Sequence, residues 1–198
     1  SLPNSVKEIG SFACAGTSIT TLNLPNLTKV GAAAFIYSDE LTTINAPNLK
    51  EIGMAAFSDC GKLTTVNLPS LSSIGSEAFS NCKLLESVLI HQEDVTKIEC
   101  FESAFGSLSS DSNLKIYVPV EDYRTAKNWS TYKDHIIVYS KNTNDWTLQV
   151  DNDSKTLNII KYKGDMNVSK INIPACFVID GELYRTVAVG GTGELNNP

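Results

Sequence analysis

A repeat of 22 residues fixes what this chain can become. Leu2-Pro3, Leu24-Pro25, Ala46-Pro47 and Leu68-Pro69 stand 22 apart, and one more step lands on Ile90-His91, where the Pro is lost. Gly10, Gly31, Gly53 and Gly75 follow at steps of 21, 22 and 22. Phe35, Phe57 and Phe79 keep the step of 22, as do Cys60 and Cys82. A unit this short cannot bury its own apolar face, whereas stacked copies can, so the period predicts a solenoid.

One complete unit reads Leu63-x-x-Val66-x-Leu68-Pro69-x-Leu71-x-x-Ile74-Gly75-x-x-Ala78-Phe79-x-x-Cys82. Val66 and Leu68, two apart, point to one face of a short strand and leave Thr65 and Asn67 on the other. Pro69 has no N–H and ends the strand. Leu71 and Ile74 face inward on the return path, and Gly75 permits a tight bend. Ser76-Glu77-Ala78-Phe79 reads as one helical turn whose Phe plugs the interior beside the small Ala78. The first unit aligns Cys14 with the Phe position, and Phe12 is expected to fill the space instead. Ser38 stands where Cys60 and Cys82 stand later, so that position calls for a small, weakly polar side chain. Parallel neighbours point the same way rather than at each other, so Cys60 and Cys82 are expected to be buried thiols and not a disulfide.

The Leu-x-x-Val-x-Leu core is a leucine-rich-repeat signature. With its Leu-Pro, Ile-Gly, Ala-Phe and Cys additions the chain resembles the BspA-type leucine-rich-repeat family, a surface-protein class common in bacteria. The resemblance is close over residues 2–90. It continues in degenerate form through Val95-x-x-Ile98 and Ala104-Phe105, with Ile98 to Phe105 two residues longer than Ile74 to Phe79. Residues 114–139 resemble the end of such an array: a strand over 114–119, a helix near 121–127, Trp129, and a last strand over 136–139. The fold class that follows is an α/β solenoid over 1–139, with about five units of short strands and helical turns and a cap at about 114–139.

A small β-rich domain over 140–198 completes the chain. There, 146–150 and 156–160 alternate around Asp151-Asn152-Asp153-Ser154 as a hairpin. A second hairpin is read from 177–179, Asp180-Gly181 and 184–187. Ile171-x-Ile173-Pro174 and Val189-Gly190 echo the repeat, so this domain resembles the lead-in to a further array. Ser1 falls inside a repeat, and a trimmed first unit is expected.

Composition narrows the function. The net charge of −6 is spread in both signs along the chain, and no segment is basic enough to neutralise a phosphate backbone, which argues against nucleic acid. The apolar runs at 32–36 and 175–179 are far too short to span a bilayer, so no membrane insertion is expected of this segment. Cys14, Cys60, Cys82, Cys100 and Cys176 form no C-x-x-C pair, and with only His91 and His135 beside them no zinc site is expected. Asp151-x-Asp153 lacks the later carboxylates of a calcium loop and reads as a turn. Gly190-Gly191-Thr192-Gly193 follows no clear strand and reads as a tail, not a phosphate cradle. Glu51, Glu77 and Glu86 are scattered one per unit, with no pair poised for acid–base work. No catalytic residue and no cofactor are expected.

Outward strand positions stack as two rows: Thr21, Thr43, Thr65, Ser87 and Asn23, Asn45, Asn67, Leu89. The resemblance implies partner binding on this concave face, by a host or matrix protein, in an adhesin-like, extracellular or cell-surface monomer. The same rows suit a stabilising role, since Thr pairs and amides favour neighbouring strands, and identical residues at each step encode little specificity. A structural spacer is therefore one alternative. A glycan-binding module is another, with Asn and Thr donors and the loop aromatic Tyr37 contacting sugar.

Overall fold

A computed structural model describes residues 2–108, 112–163 and 174–189. They divide into two compact units, Ser1–Ile136 and Ile137–Pro198. The first is a β-solenoid. One wall is a sheet of β2 (Thr21–Asn23), β4 (Thr43–Asn45), β6 (Thr65–Leu68), β8 (Ser87–Ile90) and β10 (Lys115–Val118), paired in parallel in that order; the unit ends at Ile136, where β11 (Ile136–Val138) begins. A second wall, which the sequence pattern did not reveal, is a parallel sheet of two-residue strands: β1 (Glu8–Ile9), β3 (Lys29–Val30), β5 (Glu51–Ile52), β7 (Ser73–Ile74) and β9 (Glu99–Cys100). Each strand presents its apolar residue inward, so Leu22, Ile44, Val66 and Val88 stack on one side of the core and Val30, Ile52 and Ile74 on the other.

The third wall corrects the expectation of helical turns and of an α/β class. Among the described residues there is no α-helix, only single 3-10 turns at Val95–Lys97, Glu121–Arg124 and Ser130–Tyr132. The Gly-x-x-Ala-Phe segment instead runs through two left-handed positions per coil: Phe12, Ala33, Ala55 and Glu77 in one column, and Gly16, Tyr37, Asp59 and Asn81 in the other. The physical cause is where its N–H groups go. Alternate residues donate to the next coil, as in Ala33 to Met54 O, Phe35 to Ala56 O and Tyr37 to Ser58 O at 2.8–3.0 Å. The residues between them close i to i−3 turns, as in Ala34 to Gly31 O and Ile36 to Ala33 O at 3.3 Å. A helix needs every N–H for its own chain, and half of these belong to the neighbouring coil.

The Phe spine runs up the interior. Phe35, Phe57, Phe79 and Phe105 stack nearly parallel with centroids 5.4, 5.4 and 5.9 Å apart. Phe12 takes no part in it: the expected filling of the Cys14 space fails, because its left-handed backbone turns the ring outward, where it is 67% exposed. The fifth coil also differs from the sequence alignment. Cys100, not Ile98, pairs with Ile74, so the two extra residues lie before β9, beside the 3-10 turn, and Phe101 stands where the glycine should be.

The cap ends the stack by imitating a further coil. Phe105 N–H donates to Tyr132 Oη at 3.2 Å, where each earlier Phe donates to an Ala carbonyl. Asn128 Nδ2 donates to Cys100 O at 2.7 Å, in the column where Gly31, Gly53 and Gly75 N–H bond the coil before. Tyr132 and Trp129 meet Phe105 edgewise and tilted, and Tyr123 packs edgewise on Trp129. The helix expected near 121–127 is only the 3-10 turn Glu121–Arg124. It is held by Arg124, whose guanidinium donates to Lys133 O and Ile136 O at 2.7 and 2.8 Å.

The second unit is a four-stranded sheet ordered β12 (Trp146–Asp151), β13 (Thr156–Tyr162), β15 (Glu182–Val189), β14 (Cys176–Ile179), with antiparallel β12–β13 and β14–β15 hairpins and a parallel β13–β15 pair. Trp146, Leu157, Ile159, Phe177 and Tyr184 form its core. Asp180 and Gly181 both adopt positive φ at the β14–β15 turn, as a two-residue hairpin loop requires. The echoes at 171–173 and 190, and the glycines at 190, 191 and 193, lie outside the described residues.

Candidate interaction face

The strand–Pro pattern places the candidate residues. In β2, β4 and β6 the second residue is buried and its neighbours point out, because side chains alternate along a strand and only one face meets the core. Thr21, Thr43 and Thr65 stand in register with one another and with the half-buried Ser87. Asn23 and Asn45 pair in the same way, and Asn67 falls opposite Leu89.

The two rows differ in how their polar groups are used. Asn45 Nδ2 donates to Asn23 Oδ1 at 2.9 Å, and Asn67 Oδ1 accepts from the His91 ring at 2.9 Å. The Thr row is different: among the described residues no hydrogen bond joins Thr21, Thr43 and Thr65, and these three side chains are exposed. Leu89 does not belong to the exposed face. It is 5% exposed, next in register to the equally buried Tyr117, so the Asn row turns apolar at β8, while the Thr row continues through Ser87 to Lys115. Tyr37, 62% exposed, sits on the turn wall in the column of Gly16, Asp59 and Asn81 and shares no strand with the rows.

Much of the remaining polar skin stitches coils together. Asn26, Asn48 and Ser70 each donate to a backbone carbonyl one coil back, at Asn4, Pro25 and Pro47. Thr28 and Ser72 do the same to Lys7 O and Lys50 O. Lys62 reaches Glu40 at 2.7 Å and Lys29 reaches Glu51 at 2.8 Å, both across one coil and both in solvent, where such pairs contribute little. In the second unit the Ser154 hydroxyl, and then the Ser154 and Asp153 N–H groups donating to Asp151 Oδ1, hold the Asp151 carboxyl below the usual range and make it a turn residue. His135 is buried and donates Nδ1–H to Leu114 O.

The thiol column follows one rule. Cys60 Sγ donates to Phe35 O, Cys82 Sγ to Phe57 O, and Ser38 Oγ to Cys14 O, each to the carbonyl at the Phe position one coil back. All five cysteines are free thiols. Burial pushes Cys60, Cys82, Cys100 and Cys176 up to about 12, and raises Cys14 as well. Thiolate is the reactive form. Cys82, expected to be buried, is partly exposed like Cys14, so alkylation of the native protein is expected to modify Cys14 first, Cys82 more slowly, and the buried Cys60, Cys100 and Cys176 only on unfolding, as read by mass spectrometry. Native labelling of Cys60 as fast as Cys14 would contradict this. Above pH 9.0 the unfolded thiols ionise while the folded ones keep their protons to about 12, so the native state binds more protons and stability falls as pH rises through that window.

A family model described as BspA type leucine rich repeat region matches residues 1–110 in six copies, one more than the spacing of the motifs suggests. No curated protein matches the chain significantly. No helix among the described residues is long and apolar enough to cross a membrane.

Proposed function

Because this chain belongs to the BspA-type leucine-rich-repeat family, we propose that it is a non-catalytic interaction module, secreted or held at a cell surface, that binds a host or matrix protein adhesin-fashion through its β2–β4–β6 face. The observation that carries the reading is the exposed Thr21–Thr43–Thr65 row on a parallel sheet, whose members share no hydrogen bond with one another, the Thr43 hydroxyl meeting that of its chain neighbour Thr42 at 3.4 Å. A rigid frame presents such groups without the entropy loss of ordering them on binding. The weak net charge favours recognition by shape and hydrogen bonds on this face. The β-rich domain over 140–198 is read as the lead-in to a further array.

A spacer role is the second reading, and the Asn45–Asn23 bond favours it, since it joins one coil to the next. The glycan reading loses its aromatic, because Tyr37 belongs to another wall. The test is capture of partners from host extracts by the whole chain and by Thr43→Arg/Asn45→Glu. The interaction reading expects specific partners that the double variant loses by at least about tenfold in affinity, with the melting temperature of the chain little changed. Capture of nothing by either protein supports the spacer.

A further inference from the structure

A second surface feature lies on the wall built by β1, β3, β5, β7 and β9. Here the coils press together at their glycines: a Cβ would stand 2.6 Å from Ser11 N at Gly31, 2.6 Å from Ala32 N at Gly53 and 2.5 Å from Met54 N at Gly75. Beside these close-packed glycines lies a recess of about 470 Å³ that runs across the coils. Met54, 60% exposed, stands on its rim, and Phe101, in the place of the next glycine, lines it as well. Three coil steps at about 4.8 Å make the recess about 14 Å long, room for about four extended residues.

Lys29 and Glu51 are the charged residues that line it, and the outward strand positions of this wall carry three carboxylates to one cation. Glu8, Lys29, Glu51, Ser73 and Glu99 stand in register as the outward strand positions. Lys29 is already tied to Glu51 at 2.8 Å. Glu77 and Glu102 are exposed on the turn side. The floor is closed to strand addition, since Gly31, Gly53 and Gly75 N–H donate to Ile9 O, Val30 O and Ile52 O at 2.7–2.8 Å.

We infer that this recess is a docking groove for an extended, cationic segment of a partner protein, with aliphatic side chains over the glycine floor and Lys or Arg toward the carboxylates. Charge complementarity selects that occupant. A second copy would bring another net charge of −6 to an already acidic wall and is repelled. Apolar contact and charge then do the recognising, on a wall separate from the Thr row.

The test is fluorescence anisotropy of a labelled peptide of alternating Lys and Val, about eight residues long so that it overhangs the groove at about 3.3 Å per residue, titrated with the whole chain. The expected result is binding that a Glu–Val peptide lacks, and that disappears at about 1 M salt, where the Debye length is about 3 Å. Met54→Lys is expected to weaken it by at least about tenfold, since it sets a like charge on the rim. Circular dichroism confirms that this surface variant is folded, and Ser76→Arg serves as a second such variant. Thr43→Arg/Asn45→Glu should leave peptide binding intact, so failure of the strand-face reading and failure of this one are separable. No binding, equal binding of both peptides, or binding indifferent to both groove variants in folded protein would overturn the inference.

Discussion

Replacing Phe57 with alanine is expected to destabilise the repeat unit by about 3–5 kcal/mol, the range for deleting a buried aromatic. Phe57 is fully buried and stacks on Phe35 and Phe79, with ring planes within 3° and 10° of parallel. Its removal takes away both contacts and leaves a void that the backbone cannot collapse, because Phe57 N–H is bonded to Ala78 O and its carbonyl accepts from Cys82. Each coil is stabilised mainly by the coils beside it, so the loss falls on two interfaces at once. Urea unfolding is the measurement. A loss below about 1 kcal/mol, within the usual range for surface substitutions or slightly above it, would show that the spine is not a main source of stability.

Gly53→Ala is expected to rank next, at about 1–3 kcal/mol or more, as overpacking against atoms that cannot move aside. The added Cβ would lie 2.6 Å from Ala32 N and 2.7 Å from Gly31 C, which are backbone atoms of the adjacent coil. The coils would have to separate, stretching the Gly53 N–H to Val30 O bond. Gly10 supplies the contrast. It occupies the same motif position in the first coil, yet nothing lies within 4 Å of where its Cβ would stand, and its φ is not positive. Gly10→Ala is therefore expected to be neutral or to stabilise by about 0.4–1 kcal/mol through the unfolded chain. Equal effects at the two positions in thermal unfolding would refute the close-approach account and leave a simple bend.

Phe35, Phe57 and Phe79 and the inward Leu, Val and Ile columns were legible in the sequence because their period is the coil itself. The exposed Thr and Asn positions were legible for a related reason: a strand alternates faces every residue, so one buried Val66 assigns Thr65 and Asn67. What was not legible depends on a neighbouring coil. Glu77 and Ala55 are not residues that advertise a left-handed backbone, and only the sharing of N–H groups between coils puts them there. Two-residue strands such as Glu8–Ile9 are too short to show alternation. Cys100 replaces an Ile by a register change that equal spacing could not reveal, and Leu89 kept the period of the exposed row while its surroundings changed.

The side-chain mimicry in the cap has a consequence for how the array finds one structure. A sequence that repeats every 22 residues is nearly degenerate to slippage: shift one segment against its neighbour by a whole unit, and most of the same contacts form again. The shared motif residues of the regular coils do not distinguish the right frame from the shifted one. Tyr132 and Asn128 do, since they meet Phe105 and Cys100 and occur at no regular interval. The aperiodic end thus serves as a frame mark for a periodic message, and it counts the coils as well as closing them.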